Sequence, residues 1–331
     1  MLGDMGNIEL HVVFGAGGNI GRGVVEALHA RGERVRAVSR SGRLSVPEGV
    51  ETFAADARDP DATRHAAEGA DVMYHCIGMP YPKWVSTLPT VMENLISAAS
   101  ATGDRGGRAP ARFVYADNLY AHGRDGAAAG PLSEESPDAA TGPKGRMRAE
   151  LTRRLLRAHE EGRLRAAIGR GSDFFGPGAT NSILHIFAFP KIVAGKSVSM
   201  FSNPEARHSY IYLPDFVEGL ITLGQEEQAW GGVWNLPHAP AVTNGEFIRR
   251  AFEAAGVEAP PALRSSPRFM LALGGLFSPM VREVKEVVYQ QEIDWVVDSS
   301  AFEETFGTEP TPLKRALAET IAWYRERGIS S

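Results

Sequence analysis

Apolar and polar positions along the first half of the chain switch repeatedly between two periods. The β-prone run Leu10–Phe14 feeds the turn Gly15-Ala16-Gly17-Gly18-Asn19-Ile20-Gly21, and residues 22–31 then carry Val24, Val25, Ala27 and Leu28 on one side, as an amphipathic helix does. The alternation continues with strands over 34–38, 50–55 and 70–77, a polar helix over 61–68, and a helix over 88–102 with Val91, Leu95, Ile96 and Ala99 as its stripe. A fifth strand, 112–116, precedes a flexible stretch rich in small residues over 124–142. A long basic helix over 143–161 and a sixth strand over 163–168 follow. Strands alternating with helices predict βαβ units and an α/β fold built on a doubly wound parallel sheet.

Beyond residue 178 the alternation loosens. An amphipathic segment (182–193), a strand (196–201), a helix (216–223) and a strand (232–236) lead to a helix start at Thr243, three residues ahead of Glu246. An irregular apolar segment spans 260–281. A helical run reaches Gln291, and a last amphipathic helix covers 312–327.

Composition narrows the function classes. With 331 residues the chain can bury a sizeable core, and its net charge of −5 gives no basic field for nucleic acid. The single cysteine, Cys76, excludes an intrachain disulfide. The nine histidines show no HExxH-like spacing, so no metal site is expected. The longest membrane-like run, 269–281, is broken by Gly274, Gly275 and Pro279, and the N-terminus lacks a signal-like pattern, so a soluble cytoplasmic protein is expected.

The candidate chemistry begins at the glycine turn. Glycine suits a sharp bend and a close phosphate, and a helix N-terminus offers free N–H groups to a pyrophosphate, so Gly15, Gly17, Gly18, Asn19, Ile20 and Gly21 are expected to bind a dinucleotide. The second strand ends in Ser39-Arg40-Ser41-Gly42-Arg43, where an NAD-selective site commonly carries an acid. Guanidinium groups at Arg40 and Arg43, beside Ser39, match a 2′-phosphate and favour NADP over NAD; the alternative is that both arginines are solvated loop charges. Asp56 and Ala57 would lie near the adenine. The strand end at Cys76 and Ile77 runs into a turn from Gly78 to Trp84 that would lie over the cofactor, because ligands sit outside the carboxyl ends of the strands; the plainer reading of Cys76 is packing.

The chain resembles the extended short-chain dehydrogenase/reductase family, of the nucleotide-sugar epimerase and dehydratase type. The spacing of Gly15, Gly18 and Gly21, the pair Asp56-Ala57, the segment from Arg207 to Phe216, and Val233-Trp234-Asn235-Leu236 followed by Val242-Thr243 carry the resemblance. It implies a Rossmann domain over 1–170 plus 209–236, a smaller substrate domain over 171–208 and 237–311, a C-terminal helix over 312–331, and a homodimer.

The family's acid–base residues are altered. It usually places a serine or threonine after the fifth strand and Tyr-x-x-x-Lys on the long helix; here Asn118, or Asp117 with a slip of one, takes the first place, and Lys144 and Arg148 take the tyrosine and lysine positions. Three readings follow. Lys144, with Arg148 and Asn118, replaces the usual groups in an NADP-dependent oxidoreductase acting on a small carbonyl or enone. Alternatively, Tyr81, Tyr120, His122, Asp117 or Tyr210 supplies the proton. Or the protein binds NADP without redox turnover, as a sensor, a scaffold or an enzyme of other chemistry. Tyr81, Trp84, Tyr120, Phe174 and Tyr210 are the candidate substrate contacts, and Phe175, Phe187 and Phe189 would add to an apolar pocket. Each has a plainer reading: a solvated lysine at the helix start, a turn-capping Asn118, or aromatic core.

Overall fold

Five consecutive buried residues, Leu10–Phe14, form β1, and their unbroken burial marks a strand covered on both faces. A computed structural model, which describes residues 9–104, 109–267, 269 and 283–329, places β1 inside a seven-stranded sheet. The other strands are β2 (Arg34–Ser39), β3 (Glu51–Ala54), β4 (Val72–His75), β5 (Arg112–Asn118), β6 (Arg165–Gly171) and Val233–Asn235. Their order is Val233–Asn235, β6, β5, β4, β1, β2, β3, and every neighbouring pair is parallel. The order reverses between β1 and β4, and a doubly wound sheet opens a crevice at such a point. This is a Rossmann-like fold.

Helices α1 (Asn19–Ala30), α2 (Pro60–Ala66), α3 (Trp84–Ala101), α4 (Gly123–Ala127) and α5 (Pro143–Glu160) connect the strands. Leu88, Leu95, Leu151 and Leu155 from α3 and α5 cover one face of the sheet with Met73, Phe113 and Ile168. On the other face, Val24 and Leu28 of α1 and Phe216 and Leu220 of the Leu213–Gln225 helix pack on Val13, Tyr74, Val114 and Ala167. A separate core gathers Phe175, Phe189, Tyr210, Phe247, Phe252, Leu317 and Tyr324, so the C-terminal helix Leu313–Glu326 packs into the same core as the Asn244–Ala254 helix.

Two sequence expectations change. The helix expected from residue 88 starts at Trp84, and Pro89 stands inside it. Tertiary contacts hold that first turn: the Trp84 indole N–H donates to the Met79 carbonyl at 2.7 Å, and its ring stacks on Tyr120. The stretch expected to be flexible, 124–142, is tied down. It contains most of α4, and Leu132 is fully buried, with its N–H donating to Val296 and its carbonyl accepting from Asp298. Thr243 caps its helix as expected, accepting from the Glu246 N–H at 3.1 Å. Most of the apolar segment 260–281 lies outside the described residues.

The Leu213–Gln225 helix approaches β6 closely because small residues face it. A Cβ at Gly169 would lie 2.9 Å from Leu220 and from Leu236 side-chain carbons. Gly169→Ala should therefore overpack the interface and cost about 1–3 kcal/mol, read as a lower urea midpoint; an unchanged midpoint would show that this contact yields freely.

Burial also sets a pH dependence. It pushes His75 and His238 down to about 3 and His11 down to about 4, so all three are neutral in the folded chain. An unfolded histidine takes up its proton near 6.5, so below that pH the unfolded state binds protons that the native state does not. Stability should be fully present above pH 6.5 and fall as pH drops toward 4, by up to about 1.4 kcal/mol per pH unit for each histidine. Urea titrations at pH 7 and pH 5 check this, and equal midpoints would contradict it.

Candidate cofactor and proton-transfer site

The glycine turn lies at the reversal of strand order, and its backbone is in contact with the end of β4. Gly15 has φ 87°, and a Cβ there would sit 2.5 Å from the Cys76 carbonyl oxygen. Only glycine fits that contact. A Cβ at Gly21 would collide with the Gly15 backbone. Gly18 is the N-cap of α1, with no side-chain cap and no acidic residue in the first turn. The first N–H groups of α1 are thus left for an anion.

Beside this turn lies a cavity of about 540 Å³ lined by Gly17, Arg22, Ser39, Arg40, Ser41, Arg43, Leu44 and Ser45. Neither Arg40 nor Arg43 forms an ion pair among the described residues. The cradle and its basic wall fit the diphosphate and ribose of a dinucleotide. Asp56 stands at the end of β3, and the hydrogen bond from Arg58 holds its carboxyl down at about 2. The Ala57 carbonyl accepts from Asn94 at 2.9 Å, and the Asn19 side chain accepts from Thr180. Cys76 is buried, its thiol pushed up to about 12 by desolvation, and its N–H continues the pairing with Phe14. The Ile77 N–H donates to His75, while a Cβ at Gly78 would meet nothing within 4 Å. Ile20 packs against the α1 face of the core.

The three positions expected to carry acid–base chemistry have structural partners. The Asn118 side-chain carbonyl accepts from the Tyr120 N–H at 3.0 Å, closing a turn at the end of β5. Lys144 is 1% exposed, and its ammonium bonds Glu283 and, at 2.7 Å, Glu286; the Glu286 carboxylate also accepts the Lys144 backbone N–H. Arg148 donates to the Tyr115 hydroxyl at 2.5 Å and to Asp117 at 3.1 Å, and its guanidinium carbon lies 4.2 Å from the Trp84 ring centroid.

Above these groups two phenols meet. The Tyr81 and Tyr120 hydroxyls are 2.7 Å apart, Trp84 contacts both rings, and the Lys144 ammonium lies 5.7 Å from the Tyr81 ring centroid. Desolvation raises both phenols, with Asp173 among the further contributions. Both are therefore protonated near neutral pH and can donate.

The other aromatic candidates go elsewhere. Phe174 packs edge-on against Phe216, Phe175 and Phe189 join the C-terminal core, and Phe187 meets Phe201. Tyr210 also lies in that core, donating to Asn244 at 2.6 Å. His122 accepts from Arg170 at 3.1 Å. Glu283 and Glu286 escape sequence reasoning altogether, because nothing local signals a bond across 142 positions.

Among the described residues no helix is long and apolar enough to cross a membrane. Residues 11–236 match the family described as NAD dependent epimerase/dehydratase. Sterol demethylase protein B of Methylococcus capsulatus is 24% identical over 334 residues, covering 96% of this chain and 99% of that protein. Among solved structures, a UDP-glucose 4-epimerase from Thermotoga maritima, crystallised with UDP-glucose, superposes with a TM-score of 0.76 at 16% identity, over 96% of this chain and 99% of its own. A nucleoside-diphosphate-sugar epimerase from Pseudomonas aeruginosa gives 0.73 at 18% identity, over 98% and 100%. These likenesses establish the fold.

Arg40→Ala removes one cation from the cavity wall. Calorimetric binding should show NADP affinity falling about tenfold or more while NAD affinity changes little; an unaltered NADP/NAD ratio would mean that Arg40 is only a surface charge.

Proposed function

We propose, from the premise that this chain belongs to the NAD dependent epimerase/dehydratase family, that it is an NADP-dependent oxidoreductase reducing a small organic carbonyl or enone. The hydrogen-bonded Tyr81–Tyr120 pair is the observation that carries this reading. The glycine turn and the α1 N-terminus would hold the diphosphate, and Ser39, Arg40 and Arg43 the 2′-phosphate. When bound, the nicotinamide exchanges a hydride with a carbon centre.

The chain's own part is to meet the oxygen that gains charge. One phenol donates to that oxygen while the second donates to the first, so negative charge spreads over two hydroxyls. Arg148 is the cation whose charge favours the phenolate at both hydroxyls, opposed by Asp173. Both phenols hold their protons near neutral pH, so the pair is loaded to donate a proton, the reducing direction. The likeness to a protein named for sterol demethylation makes sterol-type ketones a first class to try.

A second reading, that the protein binds NADP without turnover, rests on one observation. Asn118, Lys144 and Arg148 are each already engaged by the protein itself.

The two readings separate in an NADPH oxidation assay over a panel of ketones and enones. Tyr120→Phe should lower kcat by about 10²-fold or more, as loss of a proton donor does, with NADPH binding retained. Full activity in both Tyr81→Phe and Tyr120→Phe would remove the phenols from the chemistry. NADPH binding without turnover on any compound would favour the second reading.

A further inference from the structure

One polar cluster near the phenols is not used by the scheme above. His208 is fully buried on the short strand Arg207–His208, and its Nδ1 lies 3.1 Å from the Gln290 carbonyl oxygen. A carbonyl only accepts, so Nδ1 carries a proton. Nε2 lies 3.1 Å from an oxygen of the Asp173 carboxylate, to which the Gln291 side chain also donates. A neutral ring protonated at Nδ1 would present a lone pair to that carboxylate. The contact therefore needs one more proton between Nε2 and the Asp173 oxygen.

Among the described residues no other donor lies as close to Nε2. The Ser172 hydroxyl and the Gln291 amide nitrogen are farther from Nε2, each at 3.4 Å. Tyr210 packs its ring on His208, with centroids 4.4 Å apart, while its hydroxyl donates to Asn244. His238 is the neighbouring imidazole. It is neutral through burial, bonded to the Leu236 carbonyl, and accepts from the Ser172 N–H. On the Arg207 side, Asp294 is engaged by the Arg207 backbone N–H.

The pair also sits at the right edge of the sheet. Asn118 of β5 is in register with Gly171 of β6, so Tyr120 and Asp173 follow two residues later at neighbouring strand ends. The Asp173 side chain is 25% exposed, whereas that of His208 is wholly buried. Burial and then the Asp173 charge contribute to keeping the Tyr81 phenol protonated.

We propose that Asp173 and His208 hold one shared proton and act as a positioning pair that returns a proton to the Tyr81–Tyr120 phenols after each donation. This rests on the oxidoreductase reading. In the step, a phenol O–H breaks as the substrate O–H forms. The phenolate then takes a proton through Asp173, the Nε2–H bond of His208 breaks, and the imidazole is left neutral. Water at the exposed side of Asp173 restores the proton.

Nitrogen NMR of histidine-labelled protein without cofactor at pH 7.5 tests the shared proton directly. One ring protonated at both nitrogens is expected. The signal should vanish in His208→Gln and become a one-proton ring in Asp173→Asn. Its absence from the unaltered protein, or its persistence in Asp173→Asn, overturns the pair. The return of protons is read in His208→Gln, whose amide can still donate to Asp173 but holds no transferable proton. Its kcat should fall about tenfold at unchanged KM, with the solvent deuterium isotope effect on kcat rising as proton return becomes limiting. An unchanged kcat, or a loss with an unaltered isotope effect, overturns that role. No turnover by the unaltered protein on any carbonyl would instead sink the oxidoreductase reading and the proton return with it, while the nitrogen spectrum still decides the shared proton.

Discussion

The carboxylate of Asp117, wholly buried at the end of β5, is the constraint around which the site is arranged. A buried charge is tolerated only when opposite charge and hydrogen bonds surround it. Arg148 and Thr152 on α5 supply two contacts, and the Arg170 guanidinium on β6 lies 3.6 Å away. One carboxylate thereby fixes a helix and a neighbouring strand against β5. The compensation spreads outward. Arg148 also holds the Tyr115 hydroxyl and faces Trp84, while Arg170 reaches His122, whose other ring nitrogen meets the Pro137 carbonyl. Segment 124–142 is anchored partly by this polar chain and partly by the buried Leu132.

That arrangement explains why the altered residues on α5 are compatible with an orderly site. Arg148 serves the buried carboxylate, and Lys144 ties the start of α5 to Glu283 and Glu286 from far along the chain. The phenols stand on other elements, Tyr81 after β4 and Tyr120 after β5. A proton donor needs its hydroxyl at the right place, and parallel neighbouring strands that end at one edge can provide it without the helix.

Much of the Rossmann half was legible because its signals are local. The glycine spacing, the stripe of Val24, Val25 and Leu28, and the alternation of strands and helices each depend on residues close in sequence. The helix start at Trp84 was not legible, since the apolar stripe that marks the helix begins at Val91 and the stacking on Tyr120 that holds the earlier turn is distant. The aromatic residues after β6 were equally ambiguous. Phe174, Phe175 and Phe189 are alike in sequence, yet only packing separates those in the C-terminal core from the one beside Phe216.

The sequence by itself determined the sheet, the glycine cradle and the cations on the second strand's end, because backbone conformation and short-range periodicity decide them. Tertiary structure alone decided which polar groups are available. Asn118, Lys144 and Arg148 are engaged, the Tyr81 and Tyr120 hydroxyls meet, and His208 faces Asp173. The physical reason is that burying a polar group requires a partner, and that partner can come from any part of the chain.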